Sequence, residues 1–235
     1  MDGFWQALAR AVGLIVGGDA ELIGIVGLSL RVSLGAVAVA CLIGLPLGAA
    51  VGAFRFPGRA AASVVLNALM GLPPVVVGLV VYLMLSAAGP LGVLGLLYTP
   101  AAMTIAQTIL VAPIVAALTR QVVEDLDREY AEQFASLGVG PLRRLAALLW
   151  DARYALLTVA LAGFGRAVAE VGAVMIVGGN IAHATRTMTT AIALETSKGN
   201  LELALALGVV LVALAVAVTG AAMTLRASAA RLAYA

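Results

Sequence analysis

Two ionisable residues, Arg166 and Glu170, lie four positions apart within an otherwise apolar stretch of the sequence. On a continuous helix this spacing places both side chains on the same face. Ionisable side chains inside a membrane are costly, and they usually pair with one another or face a water-filled cavity. The pair is therefore either a structural link between helices or part of a gate, in which a partly neutralised arginine lets an anion pass without trapping it.

A group of polar residues follows the same apolar stretch. Asn180 comes first, and Thr185, Arg186 and Thr187 follow, with the single histidine, His183, among them. Hydroxyl, amide and guanidinium groups can donate hydrogen bonds to an oxyanion. We expect Asn180 to lie on a pathway and the three later residues to lie at its outer mouth. The same groups can instead cap a short helix or contact a partner protein.

Two adjacent prolines, Pro73 and Pro74, interrupt an uncharged stretch that runs over residues 60–119. Each proline lacks a backbone donor, and proline also disfavours helical backbone at the residue before it. Inside a membrane, non-helical backbone survives only where it is buried in protein or lines a cavity. The prolines therefore mark either a helix break beside a pathway or a simple kink.

The overall composition indicates which elements position these residues. The chain of 235 residues is 63% hydrophobic and 11% charged, whereas a soluble domain is about 45–50% apolar and about 25% charged. A single cysteine excludes a disulfide scaffold, and a net charge of +2 gives no support for nucleic-acid binding. We therefore predict an all-α polytopic membrane protein.

Gaps between charged residues predict about five membrane spans. A bilayer core of ~30 Å needs about 20 helical residues, so residues 60–119 hold two spans with a break between residues 88 and 100. The other spans fall within residues 22–54, 154–177 and 203–225. Nine basic residues then share one side of the membrane and three the other, which predicts an N-outside, C-inside orientation.

Three parts make up the predicted domain organisation. Residues 1–20 form an interfacial helix on the outer leaflet, a short sixth span or an ordered arm. Residues 21–225 form the transmembrane domain, and residues 226–235 form a cytoplasmic tail. Within the first span Gly44, Gly48 and Gly52 recur every four residues, which predicts close packing against another helix.

A charged segment over residues 120–153 is predicted to be a long cytoplasmic loop. Its acidic first half is followed by Gly138, which can end a helix by adopting a positive φ, and then by a basic amphipathic segment. This order predicts a helix–turn–helix suited to a groove on a partner protein. The residues expected to contact that partner are Glu132, Ser136, Gly138, Arg143 and Arg144.

This loop resembles the EAA motif of ATP-binding-cassette (ABC) importer permeases, whose coupling helix contacts the ATPase. Glu132 and Gly138 keep the six-residue offset of that motif, and Leu148 takes its Ile position. Four positions depart from the pattern, namely Gln133, Phe134, Trp150 and Asp151. Three further segments are similar to molybdate-type permeases, namely residues 72–78, 165–180 and 189–200. The last of these segments is most similar to the tungstate branch of that group.

The resemblance covers residues 22–225 and implies a type I importer fold. It also implies a homodimeric permease for an oxyanion, most plausibly tungstate, with molybdate or a sulfate-like anion as alternatives. The partners it implies are a cytoplasmic ATPase, which would hold ATP and Mg²⁺, and an extracytoplasmic oxyanion-binding protein. No cofactor is expected in this chain, because its sequence contains no Walker A motif.

Two other classes of protein are compatible with parts of the sequence. Glu124 and Arg128 superficially resemble a motif of membrane metalloproteases, but the chain offers one histidine and no cysteine pair for a metal. A passive channel would allow flux without ATP, whereas the segment at residues 132–138 predicts dependence on an ATPase. We therefore expect a transport subunit that is not itself an enzyme.

Overall fold

The computed structural model describes the backbone of residues 2–233 and their side chains, except those of residues 2–4, 6, 7, 222 and 225–233. Regular structure in this part of the chain is entirely helical, with a short 3₁₀ turn at Gly92–Leu94, which confirms the all-α prediction. The helices are α1 Asp2–Val16, α2 Ala20–Ala53, α3 Arg59–Leu69, α4 Pro74–Leu85, α5 Pro100–Glu129, α6 Ala131–Ser136, α7 Pro141–Val168, α8 Gly172–Gly178, α9 Met188–Lys198 and α10 Leu201–Ala233.

Several of these helices are long and apolar enough to cross a membrane. Within the described residues four qualify alone, namely α2, α5, α7 and residues 201–221 of α10, and α3 with α4 form a fifth candidate span that is broken between them. About five spans were predicted, so the count is confirmed. The 34 residues of α2 extend about 51 Å at 1.5 Å per residue, well beyond a ~30 Å bilayer core.

One predicted boundary is wrong, and one predicted element is confirmed with different bounds. The charged segment 120–153 contains the predicted helix–turn–helix, but it is not a separate long loop, because α5 continues to Glu129 and α7 already begins at Pro141. The span predicted over residues 154–177 is not continuous either, since α7 ends at Val168 and α8 begins at Gly172. Hydropathy cannot detect a three-residue interruption between two apolar helices, and charged residues continue a helix readily once it leaves the membrane.

The chain divides into two compact units, and each unit combines segments from different parts of the sequence. The first unit comprises Met1–Ala36, Pro73–Gln107 and Ala167–Val218. Here α4 packs closely on α8, because a Cβ built on Gly78 would lie 2.8 Å from Cα of Ala173. At Gly178 the space is filled by the side chain of Met103, whose Sδ lies 3.0 Å from the position that a Cβ on Gly178 would take.

The second unit comprises Val37–Leu72, Thr108–Arg166 and Thr219–Ala235. Its α2 lies against α5 along the predicted glycine row. An ideal Cβ on Gly44, Gly48 or Gly52 would fall 2.9, 2.2 or 2.8 Å from a carbonyl oxygen of α5. The backbones therefore approach too closely for any side chain, which confirms the small-residue packing prediction.

Candidate functional site

The residues between α5 and α7 form a compact turn, which we call the coupling turn (residues 130–140). Its short helix α6 is held by Phe134, which packs on a core containing the buried residues Ala49 of α2, Val123 of α5 and Leu148 of α7. The ring of Tyr130 meets that of Phe134 edge-on, with centroids 5.9 Å apart. The phenylalanine that departs from the family motif therefore anchors the turn.

Outward from this core, the coupling turn presents a contiguous exposed surface. Glu132, Ser136 and Gly138 are all exposed, and the side chain of Leu137 between them is 74% exposed. Gly138 has φ +60° with open space around it, and the amide of Val139 donates to the carbonyl of Phe134 at 3.1 Å. A glycine that ends a helix in the left-handed conformation thus fixes the shape of the turn.

Arg143 and Arg144 occupy different environments at the start of α7. Arg143 is exposed, as expected for a residue that contacts a partner. Arg144 instead pairs through Nε with the Asp127 carboxylate, and its guanidinium lies 5.4 Å above the Phe134 ring. Arg144 therefore positions α6 relative to α5 and α7.

An ion-pair network beside the coupling turn was not predicted from the sequence. Arg59 donates from Nε and Nη2 to the carbonyls of Val51 and Gly52, at 2.8 and 2.9 Å, at the end of α2. The same guanidinium lies 3.6 Å from Glu124, which also pairs with Arg120. An arginine shortly after a helix end is a recognised capping signal, so the position of Arg59 in the sequence could have indicated this contact.

Glu170 lies in the non-helical break at residues 169–171. Its side chain is buried, and Oε1 accepts a 3.0 Å hydrogen bond from the amide of Ala173 in the first turn of α8. Its carbonyl accepts a 2.7 Å hydrogen bond from the hydroxyl of Thr189. The expectation that Arg166 and Glu170 share the face of one helix is therefore wrong, since α7 ends between them.

This geometry separates two functions of the Glu170 carboxylate. We expect Glu170→Ala to lower stability by about 1–3 kcal/mol, because it leaves the Ala173 amide without its acceptor. Glu170→Gln keeps an acceptor oxygen for that amide but removes the charge, so it should lose less stability than Glu170→Ala while its transport rate changes. Thermal unfolding and uptake assays on both variants provide the test. Equal destabilisation with unchanged transport per folded molecule would show that the carboxylate is only structural.

The two prolines begin α4, after a short non-helical stretch that follows the end of α3 at Leu69. Pro73 has an extended backbone, with φ −65° and ψ 121°, and Pro74 is the first residue of α4. Proline suits this position because the first helical residue has no intrahelical acceptor for its N–H. The structure thus contains a break at this point, and whether it lines a pathway stays a prediction.

The polar residues after α8 are largely used within the fold. Thr185 is buried, with its Oγ1 donating to the carbonyl of Gly178 and accepting from the amide of Ile181. Thr187 is buried in a capping box with Thr190 at the start of α9. Asn180 has φ +49° and donates to the carbonyl of Thr190 at 3.3 Å. These contacts give the three side chains structural roles, and their place on a pathway or at its mouth stays a prediction.

Arg186 is the residue of this group whose side chain reaches α2. Its Nη1 lies 3.4 Å from the Glu21 carboxylate of α2, and its side chain is 14% exposed. Among the residues whose side chains are described, no group of three or more His, Cys, Asp or Glu is placed to hold a metal ion.

Long apolar helices, one of the candidate spans broken between α3 and α4, and a compact turn between α5 and α7 define a polytopic membrane protein. The sequence pattern of the binding-protein-dependent transport system inner membrane component matches residues 44–230. The chain belongs to this family, which comprises the permease subunits of ABC importers, so it is a multi-pass protein of the inner membrane.

Named relatives agree with this assignment. The chain is 42% identical to a probable anion ABC transporter permease protein of Haloferax volcanii, over 77% of this chain and 80% of that protein. It is 40% identical to a tungstate uptake system permease protein of Peptoclostridium acidaminophilum, over 85% of this chain and 88% of that one. A tungstate uptake system permease protein of Campylobacter jejuni is 39% identical, over 84% and 81%.

Proposed function

We propose that this chain is the permease subunit of an ATP-driven importer of tungstate. The observation that carries the proposal is the similarity to two tungstate uptake permeases, at 40% and 39% identity over 85% and 84% of the chain. Molybdate and sulfate are the competing oxyanions. In this proposal a homodimer encloses the pathway, and an extracytoplasmic binding protein delivers the anion.

Energy would come from a separate cytoplasmic ATPase, which would hold ATP and Mg²⁺. The coupling turn and the first turn of α7 are suited to that contact, because they combine an exposed acid, Glu132, with exposed apolar side chains at Leu137 and Leu142. An apolar anchor rimmed by charge is the usual composition of a protein docking surface. Glu132, Ser136, Gly138 and Arg143 would touch the ATPase, while Arg144 would hold α6 in position.

Transport would proceed by alternating access in the homodimer. ATP-driven closure of two ATPase subunits would displace the coupling turn, and the attached helices would open the cavity outward and then inward after hydrolysis. The break at Pro73 and Pro74 lies within a candidate span, and the break at Glu170 directly follows another, α7. Non-helical backbone of this kind is tolerated in a membrane where it is buried or lines a cavity. Because conduction requires weak sites, selectivity for the anion would reside mainly in the binding protein.

Reconstitution tests this function directly. The permease would be placed in proteoliposomes with its co-purified ATPase and binding protein, and tungstate accumulation would be measured by mass spectrometry with and without ATP. We expect uptake that requires both ATP and the binding protein and that excess sulfate does not suppress. Accumulation without ATP would indicate a channel. Faster transport of molybdate or sulfate than of tungstate would overturn the proposed substrate.

A further inference from the structure

An open cavity of about 410 Å³ lies within the first unit, beside the N-terminal part of α2. Three basic or imidazole side chains line it, from Arg31, His183 and Arg186, and Glu21 is the acidic residue of the lining. A water molecule occupies about 30 Å³ in the liquid. The cavity can therefore accommodate a small anion together with part of its hydration shell.

Arg31 lines this cavity without a counter-charge among the residues whose side chains are described. It is exposed, and it forms no ion pair or hydrogen bond with any residue whose side chain is described. The sequence that follows it, residues 32–54, is uncharged and long enough to cross a bilayer. An unpaired guanidinium at the edge of an apolar span is costly unless water or an anion solvates it.

Arg186 is only partly neutralised by its neighbours. Its Nη1 lies 3.4 Å from Glu21, while its Nε has no hydrogen-bond partner among the described residues. Glu195 is nearby, but that carboxylate is occupied by Lys198 at 2.9 Å and by the Asn200 amide at 3.0 Å. These hydrogen bonds, with a smaller contribution from Arg186, lower the pKa of Glu195. The lining thus carries a net positive charge, because two guanidinium groups share it with one carboxylate.

His183 adds an exposed imidazole on a backbone with φ +60°. Non-glycine residues in this left-handed conformation are uncommon, and they often occur at functional sites. The imidazole N–H can donate to an oxygen acceptor in the cavity. Together the two guanidinium groups and the imidazole supply hydrogen-bond donors to the lining of one cavity.

We propose that this cavity is a weak receiving site for a free tetrahedral oxoanion, the class to which tungstate belongs. The inference rests on the proposed function, and it adds a site on each permease chain at which the anion pauses before entering the pathway. Partial neutralisation by Glu21 keeps the site weak, so the anion is released rather than trapped. In the predicted orientation the cavity opens on the outer side of the membrane, where the anion arrives.

Equilibrium dialysis tests this site. The full-length permease–ATPase complex, in nanodiscs and without the binding protein, would be dialysed against sodium tungstate, with bound tungsten counted by mass spectrometry. We expect measurable binding, and we expect Arg31→Gln to weaken it about tenfold, the loss typical of a hydrogen bond to a charged group. Arg31→Lys should keep most of the binding. The matched control is Arg10→Gln, because Arg10 is exposed, pairs with Glu202 and does not line the cavity.

Each other outcome has a definite meaning. Equal tungstate binding by the wild type and Arg31→Gln would overturn the site. Unchanged tungstate binding together with weaker association of the binding protein would assign Arg31 to a carboxylate on that partner, and this would also overturn the proposal. Tungstate binding that depends on Arg31 in a complex that shows no ATP-dependent uptake would contradict the proposed function alone.

Discussion

Gly48→Ala is expected to prevent the chain from forming a stable, monodisperse membrane protein. The added Cβ would lie 2.2 Å from the carbonyl oxygen of Ala116 and 2.8 Å from Cβ of Thr119. Neither obstacle is the flexible end of a long side chain, so α2 and α5 would have to separate. Overpacking in a well-packed core typically lowers the free energy of unfolding by about 1–3 kcal/mol. A clash with backbone is expected to lie at or above the upper end of that range.

Size-exclusion profiles and thermal unfolding in detergent would measure this effect. Gly24→Ala is the matched control, since Gly24 lies in the same helix and a Cβ there meets nothing within 4 Å. The control should be neutral or stabilising by up to about 1 kcal/mol, because alanine favours helix more than glycine does. A Gly48→Ala protein with the same melting temperature as the wild type would contradict the close contact between α2 and α5.

Gly138→Val is expected to reduce ATP-dependent uptake at least about tenfold, while the spans still fold. A β-branched residue held at φ +60° pays about 1–3 kcal/mol of backbone strain, and the end of α6 would rearrange to avoid it. The open space around Gly138 means that this effect arises from the backbone rather than from a clash. Uptake into proteoliposomes and co-purification of the ATPase would both be measured.

Two further variants isolate the cause of that loss. Gly138→Asn should retain most uptake, since asparagine tolerates the left-handed conformation. Gly140→Ala should behave as the wild type, because Gly140 has open space and its φ is not positive. If all three variants transport equally, the shape of the coupling turn does not matter for coupling. If the asparagine variant fails with the valine variant, the glycine is needed for contact and not for its backbone.

Features that depend on short patterns of residue type along the chain were predictable. The number of spans, the small-residue contact of Gly48 and the turn at Gly138 all follow from rules that operate over a few residues, and the structure has each of them. The exposure of Glu132 and Arg143 also agrees with the sequence. These residues lie in local environments that their own neighbours in the chain determine.

Features that depend on distant contacts were missed. Phe134 appeared to be a departure from a family motif, and its role depends on Val123 and Leu148 from other helices. Thr185 carries a hydroxyl that could face solvent, yet the fold uses it on the backbone of Gly178. A buried polar group forms a hydrogen bond with whichever partner the packing of the fold brings near it, and the sequence does not specify that partner.

The aromatic core beneath α6 has a mechanical consequence. Phe134 sits on one apolar cluster to which α2, α5 and α7 each contribute a buried residue. Packed protein interiors have low compressibility and transmit strain, so this cluster is expected to move as a rigid unit. A displacement of α6 therefore shifts the ends of α2, α5 and α7 together, with little deformation of the cluster between them.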